Sequence, residues 1–243
     1  MSDSIDGTAC TAGGCAIGPG VSGKAETVMP VSLAIEIVSD VICPWCFVGK
    51  RQLERAVARL PEGVTATVRW KPFQLNPHMP PEGMDRVAYR SRKFGSWEHS
   101  QRLDAQVGAA AAQVGLHMRH DLMRRTPNTF NAHRLIWLAG REGVQDALVE
   151  GLFGAYFTEG KDVGDAEALA GIAGGAGLDE SRVAAFLAGE EGRAEVAGEE
   201  NAARRRGLNG VPTFIVNGEP AFSGALRADL MLGHLVQAAG CPA

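Results

Sequence analysis

Cys43-Pro44-Trp45-Cys46 lies where a short β-branched run gives way to a helical pattern, and that placement constrains the chain more than any other feature. Leu33-Ala34-Ile35-Glu36-Ile37-Val38 has the composition of a strand. From Cys46 onward, Cys46, Leu53, Val57 and Leu60 recur at helical spacing, while Lys50, Arg51, Glu54, Arg55 and Arg59 fall on other faces. Pro61-Glu62-Gly63 ends the helix, and Val64 to Trp70 alternates as a second strand. A strand, a helix and a strand in so short a span form a βαβ unit, parallel and right-handed.

Two cysteines three apart on one helix share a face, with about 5–6 Å between their Cβ atoms, close enough to be joined as a disulfide after modest adjustment. Cys43 falls at the helix N-terminus, where unpaired backbone N–H groups and the macrodipole favour thiolate over thiol. Pro44 suits the first turn because its missing N–H has no partner to lose there. Cys46, one turn further in, is expected to be the more buried. Position thus divides the roles: Cys43 attacks and Cys46 resolves. A zinc half-site is the competing reading of the pair, but zinc usually takes four ligands. The chain has no second CxxC, and its His117-x-x-His120 pair lies far along the sequence. No metal is expected.

Beyond Trp70, Pro72, Pro77, Pro80 and Pro81 interrupt the chain. Helical patterns then cover 84–94, 97–115, 130–140, 143–158, 165–175, 179–188 and 190–206, with no strand expected among them. Strand character returns over Val211 to Val216, Asn217-Gly218 is a hairpin turn signal, and Pro220 to Ser223 is the returning strand. A last amphipathic helix spans about 226–239. The expected architecture is α/β: β-α-β, a long helical stretch, then β-β-α. A flexible arm takes up 1–30, an α/β domain is assembled from 31–75 and 207–243, and an all-helical subdomain, 76–206, is inserted between its halves.

Gly210-Val211-Pro212-Thr213 stands directly before a strand. A proline there cannot donate to the ladder. In a hairpin beside a CxxC it suggests a cis peptide that turns the Val211 backbone toward an incoming chain, as a small β-augmentation; an edge-strand proline in trans is the alternative.

Composition removes several functions. With 24 Lys and Arg against 28 Asp and Glu, and a pI near 5.9, there is no basic field for nucleic acid or an anionic membrane surface. No apolar run approaches the ~20 residues of a membrane helix. Residues 1–30 carry neither a basic nor an apolar secretion region, so a reducing cytoplasmic setting is expected. Five cysteines are few for a stapled secreted scaffold, and the number is odd. They are therefore read as chemistry.

Taken together, Ser39-Asp40-Val41-Ile42-Cys43-Pro44-Trp45-Cys46, Phe73-Gln74-Leu75-Asn76-Pro77, Pro127-Asn128-Thr129, Ala132-His133-Arg134-Leu135, Ala155-Tyr156-Phe157-Thr158-Glu159-Gly160 and Gly210-Val211-Pro212-Thr213-Phe214 resemble DsbA-type thioredoxin-fold oxidoreductases, more narrowly the FrnE-like group of bacterial cytosols. The resemblance covers about 31–240. It implies a thioredoxin fold with a helical insertion, and thiol–disulfide exchange with a nucleophile at Cys43 and a resolver at Cys46. It also implies an active-site loop of Pro44, Trp45, Val211 and a cis Pro212. No bound cofactor is implied; the partner is a disulfide- or thiol-containing protein or small molecule, with glutathione as one exchange partner. The periplasmic prototype has Pro-His between its cysteines. Trp45 cannot hold a positive charge beside the thiolate, so a weaker oxidant is expected. A related group with Ser at the position of Cys43, the 2-hydroxychromene-2-carboxylate isomerase type, uses the scaffold for glutathione-dependent isomerisation and is the alternative function. A redox-sensing or chaperone-like binding protein is a non-enzymatic one.

Asp40 and Glu36 are candidate proton shuttles for Cys46, against a turn or cap for Asp40 and an edge or solvent-facing position for Glu36. Asn128 and His133 are candidates for a substrate groove over Cys43, against a cap and a packing residue. Tyr156 and Phe157 read as core, and Arg204-Arg205-Arg206 as a solvated helix end, with an acidic-substrate anchor as the alternative. Cys10 and Cys15 could form an auxiliary dithiol in the arm, Cys241 reads as a free thiol, and the helical insertion could carry a homodimer face.

Overall fold

The computed structural model describes residues 30–240. Strands β1 (Val31–Ser39) and β2 (Val64–Pro72) flank helix α1 (Pro44–Val57) and pair in parallel, Val31 opposite Val64 and Ser39 opposite Pro72. The βαβ unit therefore forms as its apolar pattern requires. β5 (Thr213–Val216) pairs antiparallel with the other edge of β1, and β6 (Glu219–Ser223) with β5, giving a four-stranded sheet in the order β2-β1-β5-β6. Asn217 and Gly218 close the β5–β6 hairpin with φ of 52° and 87°. This is the left-handed backbone that a two-residue turn needs and that Asn-Gly supplies.

β1 carries the core on both faces. Leu33, Ile35 and Ile37 face the layer of α1 and the C-terminal helix α9 (Ala228–Ala238), joined there by Phe214, Met231 and Leu235. Val38 faces the other way, with Phe73, Ile215 and Ala203.

Between β2 and β5 run α2 (Arg86–Phe94), α3 (Trp97–Gln113), α4 (Phe130–Glu142), α5 (Gln145–Phe157), α6 (Ala166–Gly175), α7 (Glu180–Ala188) and α8 (Arg193–Arg205). They follow the apolar periodicity closely. Side-chain oxygens of Asp85, Ser96, Asp165 and Asp179 cap α2, α3, α6 and α7, the residue types that accept from the first orphan N–H groups. The helices dock on the sheet layer through an aromatic cluster. Phe47 of α1 stacks on Phe153 of α5 with centroids 5.0 Å apart, and Trp70 of β2 meets the same ring edge-on at 6.0 Å.

One expectation needs correction, and one polar residue lies where helical spacing alone does not place it. The stretch from 84 to 206 is not free of strands: β3 (Met84–Asp85) pairs antiparallel with β4 (Arg125–Thr126). Two-residue strands carry no alternation to detect, and only the meeting of distant segments creates them. Lys50 is not on a solvent face. It is buried on α1, with Glu54, Asp146 and Glu150 around its ammonium. Helical periodicity identifies a polar face but cannot show that α5 covers part of it. Among the described residues, no helix is long and apolar enough to cross a membrane.

Candidate active site

Asp40 to Cys43 forms the turn that delivers the first cysteine to α1. The Cys43 N–H donates to the Asp40 carbonyl and the Cys46 N–H to the Cys43 carbonyl, both at 3.0 Å. Cys43 is the N-cap of α1, extended in backbone, with no side-chain cap bond of its own and with Pro44 as the first helical residue. Its sulfur is left free at the helix mouth. Across from it runs the loop before β5, where the Val211–Pro212 peptide is cis. Cys43 Sγ lies 3.7 Å from the Val211 carbonyl oxygen, to which it donates a weak hydrogen bond. Gly49 lets this loop come close: a Cβ there would stand 3.2 Å from Pro212 Cγ and 3.4 Å from Phe214 Cζ.

Cys43 and Cys46 are not joined to each other. Cys43 is 5% exposed and Cys46 is sealed, an order that agrees with one cysteine at the mouth and one a turn inside. Burial pushes the Cys46 thiol well up, and the neighbouring Cys43 adds to the shift; the Ser39 hydroxyl and the Asp40 backbone N–H offset it only in part. Cys46 is thus held protonated. Trp45 is 42% exposed at the rim.

Asp40 is fully buried. One carboxylate oxygen accepts from the Leu75 N–H at 2.7 Å, and the other stands 3.4 Å from His133 Nε2. The carboxylate braces the turn before Cys43 from below.

The other sequence candidates fall elsewhere. Glu36 is on the face of β1 opposite α1, ion-paired with Lys71 at 3.5 Å. It is neither near Cys46 nor on an edge, because β1 is an interior strand. His133 lies behind Asp40 rather than over Cys43. Asn128 is a local brace, donating to the Met79 carbonyl at 2.7 Å and accepting from the Phe130 N–H at 2.9 Å. Arg204 donates to the Gln74 carbonyl, pairs with Glu200 and covers the Phe73 ring. It is a tie between α8 and the segment after β2, not an open anchor. Tyr156 and Phe157 are buried as core residues, yet both also reach the wall of a cavity beside Cys43. Burial raises the Tyr156 phenol to about 12. Cys10, Cys15 and Cys241 lie outside the described residues.

That cavity, of about 280 Å3, has Cys43, Pro44 and Trp45 on one side. On the other stand Arg86, Tyr89, Arg90 and Lys93 of α2, Asp104 of α3, and His120 and Thr126 beyond it. Of these the sequence marks only His120, as half of an HxxH pair. A run such as Arg86 to Lys93 resembles any solvated basic helix until the docking of α2 turns it toward Cys43. No group of His, Cys, Asp and Glu among the described residues is arranged to hold a metal ion.

Chemically, a thiol at a helix mouth, a protonated thiol behind it and a backbone carbonyl alongside can take part in thiol–disulfide exchange.

A family model described as a DSBA-like thioredoxin domain matches residues 34–236. A crystal structure from Streptomyces coelicolor, described as a probable DsbA oxidoreductase, superposes with a TM-score of 0.78 at 35% identity, covering 87% of this chain and 92% of that one. The uncharacterized protein YwbO of Bacillus subtilis is 28% identical over 204 residues, 82% of this chain and 94% of its own length. A 2-hydroxychromene-2-carboxylate isomerase shares the fold, with a TM-score of 0.63 at 17% identity over 84% of this chain and 95% of that one.

Proposed function

This chain belongs to the DSBA-like thioredoxin domain family, and on that premise we propose that it is a dithiol–disulfide oxidoreductase working through Cys43 and Cys46. The observation that carries this is the pairing at the start of α1: Cys43 at the N-cap beside the cavity, Cys46 sealed one turn inside. In the reducing direction, the Cys43 thiolate attacks one sulfur of a substrate disulfide. A mixed disulfide forms and the first substrate thiolate leaves. Cys46 gives up its proton and attacks Cys43, the second substrate thiolate leaves, and two electrons have passed from the dithiol to the substrate. With a dithiol substrate and the oxidised protein, every step reverses.

The Cys43 sulfur stands at the helix N-terminus, and the protonated Cys46 waits until the mixed disulfide forms. Val211 and Pro212 border the reacting sulfur, where the Val211 carbonyl can orient a partner backbone. Asp40 is the proton acceptor that this reading assigns to Cys46, because it is the buried carboxylate of the same turn. The exchange partners are protein or low-molecular-weight thiols, glutathione included, in a cytoplasmic setting. A glutathione-dependent isomerase on the same scaffold has no need of a resolving cysteine.

Insulin reduction driven by dithiothreitol tests the activity, and Cys46→Ser tests the division of roles. That variant should accumulate a covalent mixed disulfide at Cys43, visible by mass. Should Cys46→Ser turn substrate over at the parent rate with no adduct, the oxidoreductase proposal fails and the isomerase reading takes its place.

A further inference from the structure

The cavity beside Cys43 has a wall that the protein leaves incomplete. Asn76 Nδ2, Arg86 Nε, His120 Nε2 and Thr126 Oγ1 are buried side-chain atoms without a hydrogen-bond partner, and all four residues line it. Buried polar groups are nearly always paired, with protein or with something bound. Four residues of one cavity wall, next to a cysteine, thus each keep an unused polar atom, His120 Nε2 standing 3.9 Å from Asp104 Oδ1.

The charge of the wall says what kind of partner. Asp104 accepts from Arg86 at 2.8 Å and from Arg90 at 2.7 Å, one guanidinium on each carboxylate oxygen. It neutralises one of the two. Lys93 stands on the next turn of α2, bonded to the Tyr89 hydroxyl at 2.8 Å. Arg86 and Arg90 within the wall and Lys93 at its exposed rim thus set three cations against one carboxylate, a balance that favours an anion. The two arginines are oriented before any ligand arrives, so little order remains to be imposed on binding.

Size and access narrow the choice further. About 280 Å3 is at the small end of ligand pockets, and Cys43 is only 5% exposed. A slender molecule reaches that sulfur through the cavity more readily than a folded protein loop does.

We propose that this cavity is a subsite for a carboxylate-bearing low-molecular-weight disulfide or thiol, held by Arg86, Arg90, Lys93, His120, Thr126 and Asn76 with its sulfur presented to Cys43. The assignment rests on the oxidoreductase reading and names its substrate class. The exchange chemistry is the one given above, with the carboxylate remaining in the cavity while the sulfur–sulfur bonds are traded.

The test uses two symmetrical disulfides of similar size, the dianionic 3,3′-dithiodipropionate and the neutral bis(2-hydroxyethyl) disulfide. Each is reacted with the reduced protein, and each rate is divided by the rate of the same disulfide with dithiothreitol. The expected preference for the dianion is about tenfold or more, and it should shrink in high salt. Arg90→Gln and Lys93→Gln should each cut the preference by about threefold or more. Arg90→Lys should retain most of it. Arg92→Gln, an exposed cation on the same helix outside this wall, should move it by less than about twofold. Equal corrected rates for the two disulfides in the parent protein overturn the subsite and leave the cavity to water, with the oxidoreductase reading intact. Failure to reduce either disulfide removes that reading itself. A preference that falls as much in Arg92→Gln as in Arg90→Gln also overturns the subsite, because it would reflect only the general charge of α2.

Discussion

Two clusters of charge sit where the helical segment meets the thioredoxin-like sheet layer, and they are built on opposite plans. Midway along α1, Lys50 is buried among Glu54, Asp146 and Glu150, Arg51 joins Glu54 and Glu150, and the Trp70 indole N–H donates to Asp146 at 3.0 Å. No polar side-chain atom of that cluster is left buried and unpaired. At the Cys43 end, Arg86 and Arg90 share one carboxylate, and Arg86, His120, Thr126 and Asn76 each keep a buried atom without a partner. A saturated network fastens elements together. An unsaturated wall around a cavity is prepared for something from outside. Cys43, to which we assign the exchange chemistry, lines the second cluster and not the first.

That contrast can be broken by experiment. The largest expected effect is at the reacting sulfur. Cys43→Ser should lower disulfide reduction by about 1,000-fold or more, worth ~4 kcal/mol of transition-state free energy, while the urea midpoint of the reduced protein changes little. A Cys43→Ser protein that retains a tenth of the activity would dissociate the cavity from the chemistry.

Next comes the saturated cluster, where stability rather than turnover should respond. Lys50→Ala removes a buried stem and strands carboxylates that are 38–60% exposed and can rehydrate. A loss of about 2 kcal/mol is expected, below the 3–5 kcal/mol of a fully buried pair. Lys50→Met, which keeps the stem, should recover about half. Urea denaturation reads both. Equal losses in the two variants would assign the effect to charge alone.

A smaller effect concerns the sealed thiol behind the cavity. The folded-state pKa of Cys46 is raised by burial, so the folded protein holds that proton after the unfolded chain has released it. The contribution to stability is complete below the ordinary thiol range and is lost as pH rises toward the raised folded value. Between about pH 9 and 10, before unfolded tyrosines ionise, the reduced protein should lose up to ~1.4 kcal/mol per pH unit through this group. Cys46→Ser should flatten the dependence in chemical denaturation series run under reductant; an equally steep fall in the variant would show that Cys46 is not its source.

The smallest effect lies at the cavity rim. Trp45→His would place a titratable cation beside the Cys43 thiolate and make the pair more oxidising, by about 30 mV, equivalent to ~1.4 kcal/mol or less for a two-electron couple. Equilibration against glutathione reads the shift, and an unchanged potential would remove the argument that Trp45 weakens the oxidant.

Much of the fold was legible because it rests on local pattern. Leu33, Ile35 and Ile37 alternate as a strand must, Cys46, Leu53 and Val57 repeat as a helix must, though α1 ends at Val57, short of Leu60, and Asn217-Gly218 spells its own turn. The site was legible only as far as the backbone path decides it. Cys43 to Cys46 and Val211-Pro212 could be named because a strand–helix junction and the entry to a hairpin have positions in the chain order. Gly49 gave a faint signal, a side chain missing from the middle of an amphipathic helix, whose meaning is the approach of Pro212.

What the amino-acid order determines here is therefore the α/β frame, the place of the two cysteines within it, and which of them stands at the helix mouth. Local periodicity and chain direction suffice for that. Whether Lys50 is solvated or entombed, whether Glu36 or Asp40 lies beneath the turn, and whether Arg86 and Arg90 face open water or the cavity beside Cys43 were decided by tertiary docking alone. The face a charged side chain presents is local, but what covers that face comes from residues 14 to 130 positions away.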